Sequence, residues 1–419
     1  MKKVIIVGAG PAGLFAANEL VVNGLRDVIV YDKKKKIGGA GLNVDGKLNF
    51  HPQVGCNLYE FVGPDVARDV IASIKLTFSK YGVEIGSPSS EYVHKAVQYG
   101  IKYIPISQAH VGSDELPSMM NDFKMELVRD GVEFRLKTEV KGVDIEQKRV
   151  FTDKGTDTYD YLLIATGRYG YCPPELITKF NPIDVGVRVE VPNEVFKEIR
   201  RDVIDPKFHL RTSTYDDFVR TFCTCYDGFV VKDKYSSNAV GVNGHSYSLR
   251  GKKSPNTNFA LLVRVNLTKP FEDTTQYGLS IVKQANLLGS YKPLIQRLGD
   301  LRKGRRSTWD RIRKSYVVPT LKDVTPGDIS MAMPKRMATD VIEGIDKLDE
   351  VLPGIASDQT LLYAPEVKFY AKRVVTNESL QSSVPEVFVA GDGAGVSRGI
   401  VGAAATGIIA ARGILKEIR

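Results

Sequence analysis

Short apolar runs and one helical stretch alternate over the first thirty residues. Lys2 to Val7 form an apolar run that ends in glycines, and Val28 to Tyr31 form a second run that ends in Asp32. Between them, Pro11 to Asn23 has the length and composition of a helix, and Gly24 closes it. The order strand, helix, strand predicts a βαβ unit at this end of the chain.

Further elements of the same kind are predicted in the middle of the chain and near its end. Glu133 to Asp153 alternate apolar and polar residues as a hairpin or meander does, and Tyr159 to Ala165 form a buried strand. Val387 to Ala390 form another strand, followed by a glycine-rich turn and a helix from about Gly399 to Glu417. Segments from both ends of the chain are therefore expected to form one dinucleotide-binding domain.

The stretch between these segments has a different pattern, which begins at Pro173, Pro174 and Pro182. From Ile183 to about Thr320 the chain contains short β runs, namely Val185–Val191, Phe229–Lys232 and Phe259–Leu267. We predict an α/β fold with a Rossmann-type domain at residues 1–172 and 331–419 and an inserted, strand-rich α+β domain at 173–330. The insert is expected to recognise the substrate, because ligand sites favour the cleft between domains.

Composition agrees with two globular domains. The chain has 419 residues, 43% of them hydrophobic and 26% charged. No stretch approaches the ~20 consecutive apolar residues of a membrane span, and Met1-Lys2-Lys3 leads directly into a strand. The four cysteines are too few for a disulfide framework and lack the spacing of a zinc site, so no metal is predicted. We expect a cytoplasmic protein.

The chain is basic, with a formal net charge of +9. Such a charge suits nucleic acid, an anionic membrane surface or acidic small molecules, although many proteins are basic without such a partner. The densest basic run surrounds Trp309 and consists of Arg302, Lys303, Arg305, Arg306, Arg311, Arg313 and Lys314. A solvated face is the simpler interpretation of this run, and a site for a phosphate-bearing substrate or a partner is the alternative.

A glycine motif joins the first strand to the first helix. Gly8, Gly10 and Gly13 enclose Pro11 and Ala12 in the pattern G-x-G-x-x-G. In this pattern the first glycine makes a tight turn, the second lets the backbone approach a pyrophosphate, and the third permits close packing of helix on strand. The positive end of the helix dipole then faces the phosphates. The motif predicts a dinucleotide site.

An acidic residue lies where this kind of site needs one. Asp32 follows Gly13 by nineteen residues and ends the second strand, where a carboxylate accepts hydrogen bonds from the adenosine ribose. Lys33 to Lys36 come next, either in contact with the adenylate or as a solvated charge run, and Lys33 is assigned to the site. These features alone do not distinguish NAD from FAD.

Two later segments favour FAD. Leu162 to Arg168 form an apolar strand that ends in a turn of small residues, which allows Ala165, Thr166 and Gly167 to pass over the dinucleotide. Phe388 to Gly395 form a second strand and turn, with Asp392 placed to bind a polyol and a helix beginning just beyond. FAD, which contains a ribityl chain, is therefore the predicted cofactor.

These motifs resemble those of the FAD-dependent oxidoreductases related to glutathione reductase. The resemblance implies that Asp392 binds a ribityl hydroxyl and that the following helix points its positive end at the flavin pyrimidine, where it would stabilise a reduced anion. It also implies that backbone atoms at Val140 hold the adenine. The other residues assigned to the FAD site are Gly39, Ala40, Gly391, Arg398, Gly399 and Ile400.

The resemblance narrows to a subgroup of NAD(P)/FAD-dependent oxidoreductases, or FAD-dependent dehydrogenases, of unsettled activity, and it covers almost the whole chain. Its segments are Gly46–Phe50, His110–Asp114, Asp184–Glu190, Thr221–Cys225, Ala364–Tyr370 and Gly391–Ile400. Two departures stand out. Cys56 replaces an expected glycine, and Tyr226-Asp227 replaces a proline and a glycine, which leaves the local turn open.

Cys223 and Cys225 are candidate catalytic residues. On a strand, two residues two apart project from the same face, so these thiols are expected to be neighbours. Redox pairs usually have two residues between the cysteines rather than one. The alternative is that both are buried, inert thiols.

Two histidines and several charged residues complete the set of candidates. His51 and His110 lie beside segments expected near the flavin and are candidate proton donors, with structural hydrogen bonding as the alternative for each. Arg398, at the start of the last helix, is the best placed of the cations that suit an anionic substrate or the flavin C2 carbonyl, a set that also includes Lys47 and Arg188. Glu366 and Lys368 alternate on an apparent strand and are expected to share a face.

The sequence thus predicts an FAD-dependent oxidoreductase that acts on an unidentified small molecule, for which an anion is one candidate class. Only one dinucleotide fingerprint is present, so NAD(P)H is expected at most as a transient electron donor, and a redox protein is a further candidate partner. Two alternatives stay open. One is a flavin-dependent reductase of unsaturated lipids, and the other is a flavin-bound RNA-modifying or RNA-binding protein.

Overall fold

The computed structural model describes residues 2–43, 46–247 and 251–419. Within these ranges the strands are β1 (Val4–Val7), β2 (Val28–Asp32), β3 (Lys47–Phe50), β4 (Ile101–Tyr103), β5 (Ser107–His110), β6 (Glu133–Leu136), β7 (Val140–Asp144), β8 (Arg149–Thr152), β9 (Gly155–Thr158), β10 (Tyr161–Ile164), β11 (Thr178–Lys179), β12 (Ile183–Pro192), β13 (Phe208–Arg211), β14 (Phe218–Cys225), β15 (Phe229–Ser236), β16 (Ala239–His245), β17 (Asn256–Val265), β18 (Leu294–Arg297), β19 (Thr325–Pro326), β20 (Leu361–Lys368), β21 (Arg373–Val374) and β22 (Val387–Val389). The α-helices are α1 (Pro11–Val22), α2 (Pro64–Lys80), α3 (Glu91–Gln98), α4 (Gly112–Arg129), α5 (Thr274–Leu288), α6 (Leu298–Arg302), α7 (Trp309–Arg313), α8 (Lys335–Val351) and α9 (Gly399–Ile418).

The chain divides into two compact units. The first unit contains residues 1–85, 109–181 and 370–419, and the second contains residues 86–108 and 182–369. The predicted α/β class, with a Rossmann-type domain and a strand-rich second domain, is confirmed.

A five-stranded parallel sheet forms the centre of the first unit, in the order β22-β10-β1-β2-β6. β1 pairs in parallel with β10 on one side and with β2 on the other. All four residues of β1 and of β10 are buried, as continuous apolar strands are when a parallel sheet is covered on both faces. The meander predicted over Glu133–Asp153 is correct only in part: β7, β8 and β9 form an antiparallel sheet, whereas β6 pairs with β2 as the edge strand of the parallel sheet.

Helix α9 packs closely against α1. A Cβ atom added at Gly407 of α9 would lie 2.1 Å from the carbonyl oxygen of Ala12, so only glycine permits this approach. Among the described residues α9 is the one helix long and apolar enough to cross a membrane, and 83% of its apolar window is buried inside the protein. It has the burial of a core helix.

An eight-stranded sheet forms the centre of the second unit, in the order β19-β18-β20-β12-β17-β14-β13-β4. β12 lies in its middle and pairs with β17 over ten residues. Apolar and polar residues alternate along β12, yet both of its faces are buried. Val185, Val187 and Val189 belong to the hydrophobic core on one face. Asp184, Arg188 and Glu190 are buried on the other.

We call the side of this sheet that carries Asp184, Arg188 and Glu190 the polar face. Strand pairing places further residues on it, because directly opposed residues of antiparallel strands share a face. Its members are Lys102, Asp184, Arg188, His209, Arg220, Phe222, Arg264, Glu366 and Lys368. The hairpin β15–β16 covers part of this face, since a Cβ atom at Gly244 would lie 1.6 Å from Nη2 of Arg188.

The boundaries between the units differ from those expected from the sequence. Residues 331–369, assigned above to the dinucleotide domain, belong to the second unit, because β20 pairs with β12 and α8 packs on the apolar face of that sheet. Residues 86–108 belong there as well, because β4 pairs with β13. Both corrections depend on pairings between residues far apart in the chain.

Candidate functional site

Each glycine of the first motif has a different steric environment. A Cβ atom at Gly8, which has φ of 115°, would lie 2.3 Å from the carbonyl oxygen of Ala165, and one at Gly13 would lie 1.9 Å from that of Gly8. At Gly10 a Cβ atom would meet nothing within 4 Å. Gly8 and Gly13 are therefore required by the packing of the protein itself, whereas Gly10 faces open space.

The amino terminus of α1 is suited to binding an anion. Gly10 is its N-cap, no side chain caps it, and its first turn has no acidic residue. The first amide groups of a helix lack partners within the helix, and the helix dipole adds positive potential there. A pyrophosphate in the open space at Gly10 would satisfy these donors.

Asp32 lies next to this helix end. Its Oδ2 accepts a hydrogen bond from the backbone N–H of Ala9 at 2.8 Å, and its Oδ1 accepts one from that of Lys34 at 2.7 Å. These bonds fix the carboxylate and leave further lone pairs for a ribose. The side chain of Lys33 is exposed and lies 3.7 Å from a carboxylate oxygen of Glu139.

A short turn approaches the same helix end from the other side. The N–H of Gly38 donates to the carbonyl oxygen of Ala9 at 2.8 Å. Gly39 has φ of 57°, and a Cβ atom there would lie 3.3 Å from Cα of Gly10. Ala40 is exposed, and Gly41 lies against the side chains of Pro11 and Ile400. The predicted residues of this turn are thus grouped around α1.

The turns after β10 and β22 also meet. A Cβ atom at Gly393 would lie 2.5 Å from the carbonyl oxygen of Gly167, so the turn that follows Thr166 contacts the turn of Asp392. The N–H of Gly391 donates to Oγ1 of Thr406 in α9. Because β1, β10 and β22 belong to one parallel sheet, their carboxyl ends lie at the same edge, which is where α/β sheets bind ligands.

Asp392 and Arg398 form the polar part of this region. Burial raises the pKa of the Asp392 carboxyl, whereas the nearby Arg398 guanidinium and a hydrogen bond from Ser397 at 3.2 Å oppose the rise. Arg398 stacks over the ring of Tyr370 at 4.4 Å, and its Nη1 is buried without a hydrogen-bond partner. A buried donor without an acceptor suits a polar ligand.

The remaining residues predicted for the first unit occupy two places. Val140 is buried and begins β7, close to Asp32, because the N–H of Thr138 donates to the carbonyl oxygen of Asp32. His51 follows β3, and its Nδ1 accepts a hydrogen bond from the N–H of Gln53 at 3.1 Å. His110 ends β5, the strand that pairs with β3, and is half-buried.

Cys223 and Cys225 lie at the end of β14, in the second unit. The regular strand alternation predicted for them is interrupted by a bulge between Phe222 and Cys225, at which Cys223 has φ of 50°. The two Sγ atoms are 3.9 Å apart, so the thiols are neighbours. Cys225 is fully buried and Cys223 is half-buried.

Tyr226 and Asp227 follow Cys225 where proline and glycine were expected, and the turn that they form contains one residue in the left-handed conformation. Asp227 has φ of 49°, a conformation that aspartate tolerates better than most residues, and Gly228 follows it. The Asp227 carboxylate accepts hydrogen bonds from Arg200 at 2.8 and 3.1 Å. Side-chain bonds therefore hold the turn in place of the expected proline and glycine.

Arg188 has no exposed surface. Its Nε donates to Asn258 Oδ1 at 2.7 Å, and its Nη1 lies 3.5 Å from Glu366 Oε1. Glu366 in turn pairs with Lys368 at 2.8 Å, so these two residues share a face as predicted. The predicted use of Arg188 as a direct anion ligand does not suit a guanidinium surrounded by protein groups.

Three cations lie around the ring of Phe222, and among them the sequence pattern pointed only to Lys368. Arg220, Lys207 and Lys368 lie 4.9, 5.2 and 5.5 Å from the ring centroid of Phe222. They come from β14, from the chain just before β13 and from β20, so no local motif unites them. The one local signal is in β12, where charged residues alternate with valines.

The matches with known families follow the same division of the chain. Residues 2–179 match the model described as pyridine nucleotide-disulphide oxidoreductase. Residues 182–369 match the model described as FAD-dependent protein, C-terminal domain-like. A relative from Clostridium beijerinckii (strain ATCC 51743 / NCIMB 8052), described as an uncharacterised protein, is 26% identical over 448 residues, which is 99% of this chain and 80% of the relative.

Solved structures with a similar chain course include two enzymes. L-proline dehydrogenase from P. horikoshii has a TM-score of 0.45 at 14% identity, over 99% of this chain and 94% of that one. Glycine oxidase from Geobacillus kaustophilus has a TM-score of 0.39 at 12% identity, over 99% and 95%.

The fold and the two family matches define the class of this protein, which is a flavoenzyme. More particularly, it is an FAD-dependent oxidoreductase in which one segment matches the pyridine nucleotide-disulphide oxidoreductase model and the next matches the FAD-dependent C-terminal-like model, each over less than half of the chain. The predictions of an oxidoreductase and of FAD as its cofactor are confirmed.

Gly10→Ala tests where the pyrophosphate lies. Gly10 has φ of −80°, which alanine adopts freely, and the added methyl group meets no protein atom. We expect the apoprotein to keep its stability, while FAD affinity falls by about tenfold or more because the methyl group occupies ligand space. Fluorescence titration with FAD and thermal unfolding measure the two effects.

Gly8→Ala is the matched comparison, because it should destabilise the apoprotein through the clash with Ala165. If Gly10→Ala left FAD affinity at the wild-type value, the phosphates would not lie at this glycine.

Asp392→Asn tests the buried carboxyl. Because burial raises the pKa of Asp392 in the folded state, its ionisation costs stability as the pH rises above the unfolded value of about 4. The variant apoprotein should therefore be at least as stable as wild type at pH 7, with the difference vanishing below about pH 4. Its FAD affinity should fall. Urea unfolding across this pH range and FAD titration provide the measurements.

Asp160→Asn is the control, and it should change the stability of the protein at pH 7 in the opposite direction. The N–H of Lys3 holds the pKa of Asp160 below its usual value, so loss of that carboxylate should destabilise the protein at pH 7. If Asp392→Asn instead lowered stability at pH 7, as Asp160→Asn is expected to do, the ionised Asp392 carboxylate would not cost stability in the folded protein.

Proposed function

We propose that this FAD-dependent oxidoreductase acts on a small anionic molecule that is recognised by the polar face of the second unit. When bound, FAD supplies hydride or electron transfer. In the first unit, the amino terminus of α1 would hold the pyrophosphate, Asp32 the ribose, and Asp392 with Arg398 the polar groups of the flavin half.

The observation that supports an anionic substrate is the concentration of cations on the polar face. Arg220, Lys207 and Lys368 surround the ring of Phe222, and Arg264 lies beside them, paired with Asp184 at 3.1 Å. Lys207 pairs with Asp205, Lys368 pairs with Glu366, and Asp184 is shared by Arg220 and Arg264, so these cations outnumber the carboxylates that pair with them. An aromatic ring bordered by cations suits a carboxylate with a short organic body.

His209 shows that this region is electropositive. Burial, and after it the cations Arg220, Arg264, Lys102 and Lys207, together lower the pKa of His209 to about 3. The imidazole is therefore neutral at physiological pH, because a second positive charge is unfavourable there. A bound anion would reverse part of this effect.

The two alternative functions have less support. The polar face does not suit an isoprenoid chain, which has no group to pair with Arg220 or Arg264. The basic run near residue 309 is largely engaged within the protein, since Arg302 pairs with Asp346 and Asp358, and Arg305 with Asp300. That pairing weakens the case for RNA.

NAD(P)H remains a proposed electron donor that binds transiently. Among the described residues, α1 is the one helix preceded by the glycine fingerprint, and it is assigned to FAD. A nicotinamide that donates electrons would therefore bind without a Rossmann site of its own.

Anaerobic reduction of the bound flavin tests the substrate class. The purified holoprotein is mixed with NADH, with NADPH, and with a panel of small hydroxy and amino carboxylates, each paired with its uncharged ester. We expect at least one carboxylate to bleach the flavin absorbance while its ester does not, because only the anion pairs with the polar face. Bleaching by esters and carboxylates alike would refute an anionic substrate.

Arg264→Gln tests the role of the polar face in the same assay. Arg264 is 37% exposed, and Asp184 keeps its partner Arg220 when Arg264 is replaced. We expect KM for the active carboxylate to rise about tenfold with little change in kcat, as for the loss of one charge-assisted hydrogen bond. Arg201→Gln, at an exposed i,i+3 ion pair, should leave KM unchanged. Equal KM values for both variants would remove the polar face from substrate binding.

A further inference from the structure

The cysteine pair in β14 has a geometry that a regular strand does not allow. Residues two apart on a strand are separated by roughly 6.5 Å, whereas a disulfide needs Cβ atoms about 4 Å apart. The bulge at Cys223 interrupts the regular strand, and the Sγ atoms lie 3.9 Å apart. The two sulfurs are therefore neighbours, as exchange between them requires.

The bulge is held from both sides by buried groups. Nη2 of Arg188 donates to the carbonyl oxygen of Cys223 at 2.6 Å, and the N–H of Thr224 donates to Oδ1 of Asp205 at 2.9 Å. A non-glycine residue with φ of 50° inside a strand persists only when its surroundings impose it. Bulges of this kind are common beside active sites.

The same guanidinium nitrogen also contacts the second cysteine. Nη2 of Arg188 lies 3.4 Å from Sγ of Cys225, and Lys368 and Glu366 complete a buried cluster of two cations and one carboxylate. A thiolate at Cys225 would add a second negative charge to this cluster, and cationic neighbours favour thiolates. Gly244 leaves the space that the guanidinium occupies.

The other two cysteines lack this environment. Burial raises the pKa of the Cys172 thiol and raises the pKa of Cys56 to about 12. Cys172 is half-buried, as Cys223 is, and so provides an internal comparison of similar exposure.

We propose that Cys223 and Cys225 are a redox-active dithiol that undergoes exchange with a small disulfide compound. Cys223, the half-buried sulfur, attacks first; Cys225 resolves the intermediate; and Arg188 is the positioning residue that holds the bulge and stabilises the Cys225 thiolate. The proposal goes beyond the flavin reaction proposed above, and either one can fail without the other.

The exchange balances with the disulfide as the oxidant. The Cys223 thiolate attacks one sulfur of the compound, so that a mixed disulfide forms and one thiolate leaves and takes up a proton. The Cys225 thiolate then attacks Sγ of Cys223, forms the intramolecular disulfide and releases the second thiol. In sum, the protein loses two protons and two electrons, and the disulfide is reduced to two thiols.

The experiment uses the FAD-loaded protein, oxidised glutathione as the probe, and mass spectrometry of the intact protein and of its peptides over time. Wild type should end with a Cys223–Cys225 disulfide and no retained glutathione. Cys225→Ser should accumulate one glutathione on Cys223. Cys223→Ser should acquire glutathione on Cys225 at least about tenfold more slowly, because that sulfur is buried. Cys172→Ser should behave as wild type.

Arg188→Lys and Gly244→Ala address the positioning role. Both should slow formation of the disulfide by about tenfold or more while circular dichroism and cooperative thermal unfolding show that the fold is retained, since neither keeps a guanidinium in contact with both cysteines. Peptide mapping of wild type decides the outcome even if variants fail to fold. Wild type that keeps both thiols, reacts first at Cys172, or retains glutathione without forming the disulfide would overturn the proposal.

Discussion

The first unit depends on how closely α1 approaches the sheet beneath it. The contact between Gly13 and the carbonyl oxygen of Gly8 places the amino terminus of the helix directly at the carboxyl edge of β1. Any side chain at either glycine would push the helix away, and its unpaired amide groups would no longer face the turns after β10 and β22. The anion-binding property of the helix end is therefore a result of packing.

In the second unit the corresponding constraint is electrostatic. Arg188, Asp184 and Glu190 are fully buried on one strand, and each must find its partners on neighbouring strands. Asp184 binds Arg220 and Arg264, and Arg188 contacts Glu366. Buried ion pairs seldom stabilise a fold more than apolar residues of the same size would. Their concentration on one face is the observation behind the anion site proposed above.

Positive charge is distributed differently in the sequence and in the folded protein. The most conspicuous basic run in the sequence is neutralised in large part by the carboxylates of Asp300, Asp346 and Asp358. The cations around Phe222 are spread over more than 160 residues of sequence and come together only in the sheet. The sequence therefore shows the basic run but does not show the cluster of cations around Phe222.

The sequence by itself determined the βαβ unit, the glycine turn and the acid at Asp32, because each of these depends on neighbours within about twenty-five residues and on fixed strand and helix periods. It also determined the FAD class, through two further motifs at Thr166-Gly167 and Asp392 that are each readable locally. Tertiary structure decided the rest. Pairing of β20 with β12 moved residues 331–369 into the second unit, and a bulge brought the sulfurs of Cys223 and Cys225 to 3.9 Å. The space above Gly10 and the cations around Phe222 likewise depend on contacts between segments far apart in the chain. No local pattern encodes such contacts.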